Sequence, residues 1–131
     1  MRYSEPPTQE QCIEQIARLA DSDELRNSDT LRRVLEFLAR QTLDSPEKHP
    51  KEYEIAIDAL GYTSDFDTQS NSAVRVQVSR LRSKLIEYYS SSGAQDSIVV
   101  DLPKGGYTLL FRWRNAIVEP EPPNDSAAED G

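Results

Sequence analysis

The stretch SAVRVQVSRLRSKLIEYYSSSGAQDSIVVDLPKGGYTLL (residues 72–110) contains the change of hydrophobic period on which the fold turns. Up to Ser90 its apolar residues return every three or four positions. At about 100° per residue, Val74, Val78, Leu81, Leu85 and Tyr88 therefore share one side of a helix. From Ile98 the period drops to two. Ile98, Val100 and Leu102 alternate with Val99 and Asp101, and Tyr107, Leu109, Phe111 and Trp113 alternate with Thr108, Leu110, Arg112 and Arg114. Between these runs PKGG supplies a proline to start a turn and glycines for positive φ angles. The pattern predicts a helix over about 72–90, with Asn71 or Ser72 as N-cap, and an antiparallel hairpin over 97–113.

The side of that helix facing away from its apolar stripe has an unusual composition for a solvated surface. It gathers Ser72, Val76, Ser79, Arg80 and Ser83, with Arg75 and Arg82 on one shoulder and Gln77 and Lys84 on the other. Each type has a use in a DNA major groove: arginine bonds guanine O6 and N7, serine bonds a base or phosphate, and valine touches a thymine methyl. A basic amphipathic helix is more often only a surface helix, so the neighbouring elements have to carry the distinction.

Upstream, Thr8 and Gln11 have the form of a capping box and open a helix over about 8–21, with Cys12, Ile13, Ile16, Ala17, Leu19 and Ala20 at helical spacing. Ser28 caps a second helix to about Leu43, striped by Leu31, Val34, Leu35 and Leu38. After the turn-rich DSPEKHPK, a third helix is expected over about 51–60, with Pro50 in its first turn and Gly61 as a left-handed C-cap. Residues 1–7 are expected to be flexible. The segment VEPEPPNDSAAEDG, within residues 115–131, has almost nothing to bury and is expected to be disordered; its acids either aid solubility or mimic DNA and compete for the basic face.

The net charge of −8 argues at first against a nucleic-acid partner. Its distribution answers this: residues 1–70 carry 8 basic and 15 acidic side chains, residues 71–114 carry 7 and 3, and residues 115–131 carry 5 acids alone. The usable positive charge is concentrated in the helix-and-hairpin segment. A short helix, a loop, a basic helix and a β-hairpin follow one another in the order of a winged helix-turn-helix, which places the basic helix in a groove and brings Lys104, at the hairpin tip, near a second stretch of backbone. The fold class expected is therefore α+β and mainly helical, with one winged-helix domain over residues 8–114.

AVRVQVSRLRSKL (residues 73–85) followed by VVDLPKGGYTLLF (residues 99–111) resembles the C-terminal half of the OmpR/PhoB-type winged-helix effector domain of bacterial response regulators. LGYTSDFD (residues 60–67) resembles that family's loop between its two helices, and the likeness runs over residues 53–111. KEYEIAIDALG, the DFD loop and LPKGGY are closer still to a winged-helix-like module near the N-terminus of larger bacterial proteins, some with tetratricopeptide repeats. The resemblance implies transcriptional regulation through sequence-specific binding of double-stranded DNA. It places recognition contacts on Gln77, Ser79, Arg80 and Arg82, and wing contacts around Pro103 and Lys104. Arg80 is the foremost candidate for base readout, while Arg75, Arg82 and Lys84 are placed to meet phosphates. Ser79 stands where the family can have arginine, and Pro103 where a basic residue is common. The family's domain opens with a small β-sheet where residues 8–43 here read as helices, and without a receiver domain phosphorelay control is not implied.

Fewer contacts per copy suggest that two copies act on adjacent half-sites about one helical turn apart. The helices over 8–43 either form the dimer contact or cover the hydrophobic back of the domain. A winged-helix module that binds an acidic protein instead of DNA is the alternative reading. Catalysis is not expected: Asp65 and Asp67 read as turn chemistry, Cys12 reads as a core residue, and His49 as a solvated loop side chain. One cysteine and one histidine leave a zinc site almost without ligands, so no metal or other cofactor is expected. No small-molecule site is legible. No run approaches the roughly 18 apolar residues of a membrane span and no signal peptide is seen, so a soluble, cytoplasmic chain is expected.

Overall fold

The computed structural model describes residues 5–114. The expected flexibility of residues 1–4 and disorder of residues 115–131 lie outside the described residues. The fold is α+β, about half helical, in the order α1 (Gln9–Ala20), α2 (Asp29–Asp44), α3 (Glu52–Glu54) continuing into a π-helical turn (Ile55–Ala59), α4 (Ala73–Ser90), β1 (Ile98–Asp101) and β2 (Leu110–Trp113).

The caps expected for the first two helices form. The Thr8 hydroxyl accepts from Gln11 N–H at 3.2 Å while Gln11 Oε1 accepts from Thr8 N–H at 2.8 Å, which satisfies two donors at the start of α1. Ser28 Oγ accepts from Leu31 N–H at 3.2 Å at the start of α2. Residues 5–7 are not a loose end: Pro7 is buried, and the Glu5 carbonyl accepts from Trp113 Nε1 at 2.9 Å.

The third helix departs from the expected α-helix over 51–60. Leu60 N–H bonds the Ile55 carbonyl at 3.0 Å, five residues back, and the wider turn places Ile55, Ala56 and Ala59 in the core. Pro50 is buried but stands before the N-cap, Lys51, rather than in the first turn. Gly61 takes φ +80°, the left-handed conformation expected of it, and lets Tyr62 N–H reach back to the Ala56 carbonyl at 2.9 Å.

Helix α2 lies at the centre, packed against α1, the π-helical turn and α4, while α4 also packs on β1. Leu19, Leu31, Val34, Leu35, Leu38, Ile55, Val74, Val78, Leu81, Val100 and Leu109 meet in one core. Ile16 and Leu19 of α1 and Leu31, Val34, Leu35 and Leu38 of α2 are consumed there, while Ile13, at 55% exposed, and Ala17 of the α1 stripe face outward.

β1 and β2 pair antiparallel in the register Ile98↔Trp113 to Asp101↔Leu110. The second strand begins three residues later than its alternation suggests. Residues 107–109 bond outward instead: Tyr107 Oη to Glu52 Oε1 at 3.3 Å, Thr108 Oγ1 with His49 Nδ1 at 3.2 Å, and Leu109 N–H to Thr42 Oγ1 at 3.3 Å. The connection between strands is thus an eight-residue loop, 102–109, pinned to the α2–α3 region, and PKGG forms its outer bend with Gly105 at φ +92°.

Candidate nucleic-acid interface

The rotation of α4 is fixed by five buried anchors, Val74, Val78, Leu81, Leu85 and Tyr88. Their spacing leaves Ser72, Val76, Ser79, Arg80 and Ser83 exposed on the outer side, with Val76 at 47%. Covering the rest of Val76 would gain about 1 kcal/mol, so its exposure leaves an apolar contact unmade. Ser72 occupies the N-cap position without a side-chain cap bond; Asn71 Oδ1 accepts from Ala73 N–H at 2.9 Å in its place.

The shoulders are less free than sequence reasoning allowed. Arg75 bonds Glu52 Oε2 at 2.6 Å and the Thr68 carbonyl at 3.0 Å, which ties α4 to α3 and its following loop. Arg82 donates through Nε to the Leu102 carbonyl at 2.7 Å and through Nη2 to the Pro103 carbonyl at 3.4 Å, so it clasps the hairpin loop against α4. Gln77 and Lys84 are half-buried, and Lys84 sits 3.4 Å from Glu87. Arg80 and Lys104 are exposed and make no hydrogen bond or ion pair among the described residues. Arg112 pairs with Asp101 across the hairpin at 3.0 Å.

Periodicity gave no sign of a polar network that fastens α1 to the end of α4 and the hairpin. Gln15, though polar, is buried; its Nε2 donates to Asp96 Oδ2 at 2.9 Å and to Tyr89 Oη at 3.1 Å. Tyr89 Oη donates to the Ile98 carbonyl at 2.8 Å and accepts from Val100 N–H at 3.0 Å. Tyr88 donates a short hydrogen bond to Asp96. Burial pushes Asp96 upward, but the bonds from Gln15 and Tyr88 and the charge of Arg18 together hold its carboxyl below the usual range. Burial is also the main cause that pushes Tyr89 up to about 12. The one signal in the sequence was Gln15 itself, a polar residue on the apolar side of α1.

The loop before α4 makes turns. Asp67 Oδ1 accepts from Gln69 N–H at 3.0 Å and Asp67 Oδ2 from Ser70 Oγ at 3.0 Å, bonds that lower the carboxyl's pKa, and Thr63 donates a short bond to Asp65. Cys12 is buried, and burial pushes its thiol upward, away from thiolate chemistry. Among the described residues no three His, Cys, Asp or Glu side chains cluster as metal ligands. No helix among them is long and apolar enough to cross a membrane. Comparison of the chain with family models, with curated proteins and with solved structures finds no match in any of the three.

Proposed function

We propose that this chain is a winged-helix transcriptional regulator that lays α4 in the major groove of double-stranded DNA and sets its hairpin against the flanking backbone. The observation that carries the reading is the outer face of α4. Among the described residues Arg80 has no partner, and it stands beside Val76, Ser79 and Ser83 on a helix whose rotation five buried residues fix. An uncommitted guanidinium on a fixed helix face, beside small hydroxyls and one methyl-bearing side chain, suits direct reading of base edges. The Arg82 clasp supports the same assignment, because it holds the loop that carries Lys104 beside the helix, where a second cation can meet phosphate.

Ion pairing of Arg75, Lys84 and Arg112 lowers the positive charge offered to phosphate, and this keeps open a second reading, a module that docks on a protein instead of DNA. Selection of bound sequences from a random duplex pool, followed by gel shifts of the winners across a salt series, separates the two. A DNA-binding regulator enriches a defined sequence and loses affinity steeply with salt, since each phosphate contact releases counterions. Failure to enrich any sequence, or a flat salt response, refutes the DNA reading in favour of the protein module. Half-sites about ten base pairs apart in the enriched sequences would mark action in pairs, and light scattering of the free protein reads the same property.

A further inference from the structure

Between the C-terminal half of α4 and the hairpin lies a groove of about 540 Å³. Arg82, Lys104, Arg112 and Arg114 line it against a single carboxylate, Asp101. Buried Leu85, Val99 and Leu102 give it an apolar lining, and Ile86, also in the lining, is 65% exposed.

Two of the cations, Arg82 and Arg114, are held in position without being neutralised. Arg82 bonds carbonyls of the hairpin loop, and Arg114 bonds the carbonyls of Asp96 at 2.8 Å and Gly93 at 2.9 Å while lying 5.7 Å from the centre of the Tyr89 ring. Among the described residues, Arg112 alone of the four has an acidic partner. A carbonyl fixes a guanidinium but leaves its charge, so the groove is a preorganised cationic site beside exposed aliphatic surface. Arg112 and Arg114 belong to the hairpin side and are not part of the outer face of α4.

We propose that this groove is the docking site of the chain's own acidic segment, residues 115–131, and that the segment and DNA exclude one another there. The segment follows directly from Arg114, a residue of the groove itself. It carries five acids and no base, and its first acids, Glu119 and Glu121, come just after Ile117 and Val118, so an aliphatic pair and carboxylates arrive together as the groove requires. Extended at up to about 3.3 Å per residue, the segment reaches on the order of 50 Å, farther than the roughly 35 Å width of a domain this size. Covalent attachment sets its local concentration in the millimolar range, enough for a weak charged contact to be populated. The exclusion of DNA rests on the DNA reading above, because Arg82 and Lys104 belong to both surfaces.

The test uses the full chain. Cys12 is buried, so a nitroxide attached through Ser126→Cys reports on the segment alone. The expected result is loss of amide signal concentrated at residues 86–90 and 99–104 at low salt, abolished by high salt and by the combined substitution Glu119→Gln, Glu121→Gln, Asp125→Asn, Glu129→Gln and Asp130→Asn. Broadening that is absent, or spread evenly over the surface, overturns the docking. The same acid-to-amide protein should bind DNA about threefold to tenfold more tightly than the unsubstituted chain, as expected for removal of a weak competitor at millimolar local concentration. Equal affinities overturn the exclusion. Groove-specific broadening with no DNA binding by either protein leaves the docking standing and removes the DNA reading instead.

Discussion

Replacing Gly93 with alanine should be among the most damaging single-methyl changes in this protein. A Cβ at Gly93 would lie 2.0 Å from Cε2 of Tyr88 and 2.5 Å from its Cδ2, where ordinary contact needs more than 3.4 Å. Gly93 does not hold a positive φ, so the cost is one of space and not of backbone strain. Neither side can yield easily. The Tyr88 ring is 2% exposed and its hydroxyl is committed to Asp96, while Gly93 N–H bonds the Tyr88 carbonyl at 2.7 Å and the Gly93 carbonyl accepts from Arg114 at 2.9 Å. Overpacking costs about 1–3 kcal/mol and disturbing a hydrogen bond to a charged group about 1.5–3 kcal/mol, so a loss of roughly 3–5 kcal/mol is expected. For a domain of this size that is a large share of a total near 5–15 kcal/mol, and it lowers Tm by about 12–20 °C. Urea and thermal unfolding followed by circular dichroism measure the loss. A double-mutant cycle isolates its cause: in a Tyr88→Leu background, which removes the ring, Gly93→Ala should cost far less. A loss below about 0.5 kcal/mol, or the same loss with and without the ring, would refute the reasoning.

Three further outcomes are expected. Arg80→Ala should weaken binding to the selected DNA by about 1–3 kcal/mol and relax its sequence preference, whereas Lys104→Ala should weaken binding to all sequences alike and reduce the salt slope by about one; equal effects of both substitutions on selected and random duplexes would contradict these roles. Arg82→Ala removes two bonds to the hairpin loop and should cost about 1–3 kcal/mol, with hydrogen-exchange protection falling first over residues 98–113; unchanged protection there would show that the clasp does not hold the loop. Because Asp96 titrates lower in the folded chain than in the unfolded chain, its contribution is present above the ordinary carboxylate range and drains away as pH falls through the folded value. The urea midpoint of the parent should accordingly fall more steeply than that of Asp96→Asn as pH drops below about 4, the ordinary carboxylate value, and parallel curves would remove Asp96 from the acid response.

What could be read from the sequence was local. The capping box at Thr8, the Ser28 cap, the five anchors of α4 and the left-handed Gly61 all depend on residues within a few positions of one another, and each is present. The outer face of α4 was legible for the same reason, since rotation follows from spacing. What was missed depends on partners far along the chain. Residues 107–109 alternate like a strand but bond Thr42, His49 and Glu52, which no period reveals. Arg75 and Arg82 read as free cations until Glu52 and the Leu102 carbonyl are brought beside them. The bonds of Gln15 to Tyr89 and Asp96, and the gathering of Arg112 and Arg114 with Arg82 and Lys104 in one groove, likewise exist only after α1, α4 and the hairpin meet.

The π-helical turn at Ile55–Ala59 has a consequence for tolerance to length change. It accommodates one residue more than a regular turn between the same two ends, the N-cap at Lys51 and the reversal at Gly61, so this helix behaves as though it carries an insertion. Removing one residue at exposed Asp58 would let the helix wind regularly while its ends stay where they are. A deletion inside a buried helix ordinarily shifts every later side chain off its face. Here the slack would absorb it, and the loop into α4 would receive the chain in its present register.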